Sequence, residues 1–269
     1  MKDLVSEIKK YFMIFLYFQK INIMKVMAYP SSFFISCIAV VLTMTLSILF
    51  INVNFSFVNS VSGWTYYQIL GVVGSYMIVE GLMWLLFAQL NAINTHISEG
   101  TMDGVLLKPI DSQFLISIWR GDMEDVVRII IGSVLIFISI INTTGFNVWH
   151  FILFLFLIIN GTIMFYSLTI MIRAVSFWVI DGSGFWLLIE RVSANSQYPV
   201  DIYYNKAVRG FFTFAVPLAF VATVPARILT NKELDWQLIS LSFLMTLIFF
   251  FCSRYFWSFA LNRYSSASS

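Results

Sequence analysis

Residues 31–52, SSFFISCIAVVLTMTLSILFIN, pass without one charged side chain. An α-helix needs about 20 mostly apolar residues to cross roughly 30 Å of hydrocarbon. Lipid offers the backbone no hydrogen bonds, so such a segment must satisfy its own N–H and C=O groups as a helix. The pattern recurs at 66–90, 123–141, 148–171 and 238–258. Two weaker candidates lie between the last pair: 174–192, which carries Asp181, and 210–229, which is broken by Pro217 and Pro225. Composition points the same way, with 59% hydrophobic and 11% charged residues against about a quarter charged in soluble domains. The expected fold class is therefore an all-α polytopic membrane protein. A net charge of +2 gives no field that would recruit nucleic acid.

Lys and Arg near the spans set the expected orientation. Lys2, Lys9, Lys10, Lys20 and Lys25 place residues 1–30 in the cytoplasm, and the charge-free links 53–65 and 142–147 belong outside. Arg254 and Arg263 return the 260–269 tail to the cytoplasm, in a multi-pass arrangement in the cell inner or plasma membrane. Both ends inside require an even number of crossings, so one of the two weak segments does not cross. Either 174–192 crosses and 210–229 re-enters from outside, or 174–190 lies on the inner surface and 210–229 crosses. Lys206 and Arg209 favour the second arrangement, whereas the proline breaks and the SQYPVDIYY stretch favour the first. Ahead of the first span, Leu4, Ile8, Tyr11, Phe12, Phe15 and Phe18 share a helical face opposite Lys2, Lys9 and Lys20. That pattern predicts an amphipathic helix in the inner interface, its lysines near lipid headgroups.

One polar stretch interrupts the chain, EGTMDGVLLKPIDSQ at 99–113. Thr101 reads as an N-cap, Asp103 as a first-turn carboxylate, Lys108 as a last-turn cation and Pro109 as the stop. Met102, Val105 and Leu106 fall on one face, giving a helix of about two turns with an apolar knob. A helix that short is unstable alone in water and must pack on its own chain or on another.

The order Glu99-Gly100-Thr101-x-Asp103-x-x-Leu106-Leu107-x-Pro109, placed after a second span, resembles the corresponding loop of ABC-2-type transporter permeases. Residues 198–229, Pro-rich and ahead of the last span, are similar to that family's extracellular re-entrant segment. The resemblance implies a coupling helix at about 97–110 that docks on a separate cytoplasmic ATPase. Glu99, Gly100, Thr101, Met102, Asp103, Val105, Leu106, Lys108 and Pro109 would form the coupling site. Met102, Val105 and Leu106 would be the docking knob, with Glu99 and Asp103 in polar contact. It further implies six spans, an exporter, and a second permease copy or related permease. ATP and Mg would sit on the ATPase, with no cofactor on this chain.

The residues themselves carry little chemistry. No lysine is followed by Ser or Thr, so no G-x-x-x-x-G-K-[ST] phosphate loop exists here. Cys37, Cys252, His96 and His150 lie in no metal-ligand spacing. Glu80, in SYMIVEGLMWLL, is an intramembrane carboxylate and hence a candidate for a substrate path, with Arg173 or Arg191 as expected partners. Asp181 is a similar candidate, while Glu124 and Arg128 read as a helix-supporting pair. The alternative function is an ion- or proton-coupled secondary transporter using Glu80 and Asp181.

Overall fold

The computed structural model describes residues 2–179, 197–230 and 234–264. The expected span 174–192 and Asp181 thus fall largely outside the described residues. A long first helix, α1 (Lys2–Ala28), is followed after Tyr29 by α2 (Pro30–Phe55). Pro30 stands in the first turn of α2, where its missing N–H costs nothing and its fixed φ starts the helix. A two-residue hairpin pairs Ser60–Val61 with Trp64–Thr65. Its loop residues Ser62 and Gly63 both have positive φ (50° and 84°), the geometry that matches strand twist in so tight a turn. Thr65 then opens α3 (Tyr66–Phe87), its N–H donating to Gln68 Oε1 at 2.9 Å.

The polar stretch lies in three short helices: α4 (Ile93–Ser98), α5 (Asp103–Leu106) and α6 (Ser112–Ile118). Two long helices follow, α7 (Asp125–Asn142) and α8 (Val148–Ala174), the latter capped by Asn147, which accepts from the N–H groups of Trp149 and His150. After the undescribed stretch come α9 (Lys206–Gly210), α10 (Val224–Thr230) and α11 (Trp236–Leu261). Among the described residues, five helices are long and apolar enough to span a membrane, or six if the bent pair 206–215 and 219–230 is one span. All-α and polytopic describe the chain.

The centre of the bundle is the α3–α7 pair. A Cβ on Gly74 would meet the carbonyl oxygen of Gly132 at 2.8 Å, and a Cβ on Gly132 would meet that of Gly74 at the same distance. Gly81 likewise faces the carbonyl of Asp125. Small residues at helical spacing let two backbones approach closely where lipid supplies no hydrophobic push. A second apolar cluster joins α8, the 219–230 segment and α11 through Leu157, Met164, Phe220, Val224, Ile228, Ile239 and Phe249. By contrast α2 is nearly bare, with only Met44 and Ile51 buried.

Contacts assign each loop to one end of the bundle. At the first end, Trp64 Nε1 donates to Asp201 at 3.2 Å, and Thr144 Oγ1 donates to the Leu229 carbonyl at 2.7 Å. Arg227 pairs with Asp201 there, and Arg209 donates to the Asp201 and Tyr203 carbonyls. At the opposite end lie α1, α4 to α6, the close of α8 and the close of α11. Residues 201 and 227–229 therefore sit at the same end, with a 75° bend between them. The tip of that bend packs against Gly161, midway along α8. Arg209, which by charge alone argued for a cytoplasmic position, is held by the backbone of its own segment.

Candidate coupling site

Gly100, at φ +70°, ends α4 and reverses the chain into the module. Thr101 is not the N-cap that sequence suggested. Its hydroxyl lies 2.8 Å from His96 Nδ1, and α5 begins with no side-chain cap. The helix is a single turn, Asp103–Leu106, shorter than the two turns expected. His96, five residues back, takes the Thr101 hydroxyl that would otherwise cap the next turn.

The facing of the module also differs from expectation. Met102 and Val105 are both fully buried in the chain's own core, so they are not free to dock on anything. Leu106 is 39% exposed and its neighbour Leu107, outside the expected set, 85% exposed. Glu99, Thr101, Gly104, Lys108 and Pro109 join them on the open side, while Asp103 is half-buried beside the Tyr264 hydroxyl. Lys108 lies 4.6 Å over the ring of Trp119, which also stacks on His96. The apolar knob is thus the Leu106–Leu107 pair, flanked by Glu99 and Lys108.

Behind this open side the module is moored to several long helices. Asp111 accepts the Phe114 N–H at 2.8 Å as the N-cap of α6, and the same carboxylate receives both Arg254 Nη atoms at 2.8 and 2.7 Å. Arg254 Nη1 also donates to Gln113 Oε1 at 3.0 Å, and Trp257 Nε1 to Ser112 Oγ at 3.1 Å. These bonds fix the module to α11. Gln113 and Ser117 both meet the Tyr166 hydroxyl, at 3.2 and 2.9 Å, which fixes it to α8. From α1, Lys10 donates to the Pro109 carbonyl, and Tyr11 accepts the Asp111 N–H and packs edge-on against Phe114. The bidentate Arg254 contact holds the Asp111 carboxyl below the usual carboxylate range.

None of Asp111, Gln113, Tyr166 or Arg254 is a site candidate in the sequence reading, which uses Arg254 only to orient the tail. A signal existed: Asp111 precedes the apolar run QFLISI as an N-cap should, and Arg254 in FFFCSRYFW is a cation inside a span that demands a partner.

Glu80 has a different partner from either expected one. It pairs with Arg128 of α7, whose Nε also holds Asp125 Oδ1 at 2.9 Å. Arg173 instead donates to Asn91, and Arg191 lies outside the described residues. The helical partner of Arg128 is accordingly Asp125, three residues back, and not Glu124. The glycine contacts between α3 and α7 bring Glu80 to the level of the first turn of α7, near the module's end of the bundle. Its neighbour Gly81 touches the Asp125 carbonyl there.

The described residues thus form a helical bundle with several helices apolar and long enough to span a membrane, bearing an exposed capless turn moored at one end. The profile of the ABC-2 family transporter protein family matches residues 40–268, and the chain belongs to that family. No curated protein matches the chain. Permeases of this family are not themselves catalytic and generally work with an ABC ATPase partner.

Proposed function

We propose that the chain is the transmembrane permease subunit of an ATP-driven ABC-2-type exporter, and that residues 99–109 dock on a separate ATPase subunit. The observation that carries this reading is the combination at the module. Its open side shows Leu106 and Leu107 to solvent, while its hidden side is hydrogen-bonded to α1, α8 and α11. A loop that merely connected spans would need neither the exposed leucine pair nor so many moorings. ATP and Mg belong to the partner, and ATP-driven closure would push the module and load the ends of α8 and α11.

The same reading sets the termini, the module and Arg254 in the cytoplasm, with 198–229 re-entering from outside. Supporting it, Asp201 and Leu229 contact the two charge-free links at the opposite end. A second permease copy completes the path, and the nearly bare α2 offers it a face. The ion-coupled alternative loses its main support, because Glu80 is committed to Arg128.

Co-purification tests the assignment. The chain, solubilised from its own membranes, should bring down a stoichiometric ATPase, and Leu107→Asp should abolish that capture while leaving membrane insertion intact. Met102→Ala, a buried position, should lower stability without selectively removing the partner. If Leu107→Asp retains the ATPase, the docking surface lies elsewhere.

A further inference from the structure

A cavity of about 460 Å³ opens where α1 turns into α2 and meets the 120–124 loop ahead of α7. Its size falls in the 300–1,000 Å³ range of ligand-binding clefts. The polar groups around it lack partners to an unusual degree. Asn22 on the wall is 2% exposed, yet neither its Oδ1 nor its Nδ2 has a hydrogen-bond partner. A buried amide without partners is rare in folded proteins and calls for an explanation.

Ser32 and Ser36, one turn apart on α2, also line the cavity. Further along the same helix Thr43, Thr45 and Ser47 each donate to the carbonyl four residues back. Ser32 and Ser36 make no such bond among the described residues. Two charges complete the lining. Arg120 and Asp122 neutralise each other at 2.9 Å, but Lys25 and Glu124 have no ion-pair partner among the described residues.

The cavity therefore offers one free cation, one free carboxylate, two free hydroxyls and an unsatisfied amide. Pro30 begins α2, so Ser32 and Ser36 stand in the first two turns of a membrane span, at headgroup depth. The geometry points to a binding site for a zwitterionic phospholipid headgroup of the phosphoethanolamine class. Lys25 and the serine hydroxyls take the phosphate, and Glu124 takes the primary ammonium, which can donate hydrogen bonds to it. Asn22 Nδ2 donates to a phosphate oxygen, and its Oδ1 accepts from the ammonium. A bound lipid would then pin the joint between the interface helix and the first span. Phosphocholine fits less well because its quaternary nitrogen donates no hydrogen bond to Glu124, and phosphoglycerol brings no cation at all.

The test uses the purified full chain in detergent micelles doped with phosphatidylethanolamine, phosphatidylcholine or phosphatidylglycerol, with retained lipid counted by native mass spectrometry. Phosphatidylethanolamine should bind about tenfold more tightly than the other two. Lys25→Ala should weaken it about tenfold, and Glu124→Gln should erase the preference over phosphatidylglycerol. Lys206→Ala, an exposed lysine at the opposite end of the bundle, should change nothing. Should either site variant fail to fold, as judged by thermal unfolding, Ser32→Ala with Ser36→Ala should weaken retention in its place. Equal retention of all three lipids, or unaltered retention by the variants, overturns the proposal. Displacement of the lipid by millimolar O-phosphoethanolamine or inorganic phosphate would assign the site to a soluble anion and overturn the lipid source.

Discussion

Arg128 serves two carboxylates at once, Glu80 across the helix interface and Asp125 on its own helix. All three side chains are less than a fifth exposed. Removing the arginine leaves two acids facing each other with no cation, whereas removing Glu80 leaves the Arg128–Asp125 pair intact. Breaking a buried pair costs about 3–5 kcal/mol when a charge is left uncompensated. Arg128→Ala should therefore destabilise the detergent-solubilised chain considerably more than Glu80→Ala, and Glu80→Gln combined with Arg128→Ala should recover part of the loss. Equal melting temperatures for the two single variants would refute the shared-cation account. At Asp111 the relevant variable is pH. Its folded pKa is depressed, chiefly by the Arg254 hydrogen bond, so the stability it contributes is present above the unfolded carboxylate value of about 3.9. That stability is lost as pH falls through the lower folded value. The stability gap between the native chain and Asp111→Asn should stay flat from pH 8 to 5 and close only below about pH 4. The Arg254 and Asp111 side chains are 41% and 31% exposed, so the gap should also shrink in high salt.

At the scale of elements, the long spans were legible because an apolar run of about 20 residues has one solution in lipid. How they pack was not, because lipid-facing and bundle-facing residues are equally apolar. Glycine was the one usable clue: Gly74 and Gly132 mark a backbone-to-backbone contact that hydropathy does not show. Gly74→Ala and Gly132→Ala should each lower the melting temperature, since the new Cβ would stand 2.8 Å from a carbonyl oxygen. Gly104, in α5, has open space around its Cβ position. Gly104→Ala should be neutral or gain up to about 1 kcal/mol from helix propensity, which thermal unfolding of the three variants side by side would show. In the polar module, Gly100 at φ +70° precedes a single helical turn, Asp103–Leu106. Its facing was not readable, because a one-turn helix takes its orientation from what it packs on. Helical spacing grouped Met102 and Val105 with Leu106, but the core claims the first two and leaves Leu106 with Leu107 outside. The first helix shows the same limit. Tyr11 and Phe18 pack inward on α6 and on Trp119 just beyond it, while Ile8 and Phe12, from the same sequence stripe, are 62% and 58% exposed.

At the scale of the whole molecule, what matters is how the exposed turn communicates with the spans. The buried side of the module meets α11 through Asp111 and Arg254, two charges joined by two hydrogen bonds of 2.8 and 2.7 Å. A bidentate guanidinium–carboxylate contact fixes angle as well as distance, so under the proposed function a push on the module would reach α11 through it. Under the proposed function this pair lies behind the docking surface and touches no partner. Its loss should therefore separate capture from response. Asp111→Ala and Arg254→Ala should still co-purify the ATPase, since Leu106, Leu107 and Glu99 stay exposed. In proteoliposomes, however, the permease should no longer alter the ATPase rate, or should do so by less than a fifth of the native effect. Exchanging the charges, Asp111→Arg with Arg254→Asp, should restore part of the coupling that either exchange alone removes, although the reversed pair loses the cap on α6. If the single variants couple as the native chain does, force enters the bundle through Tyr166 and α8 instead. If they lose the ATPase altogether, the pair is holding the docking surface in shape and not transmitting its motion.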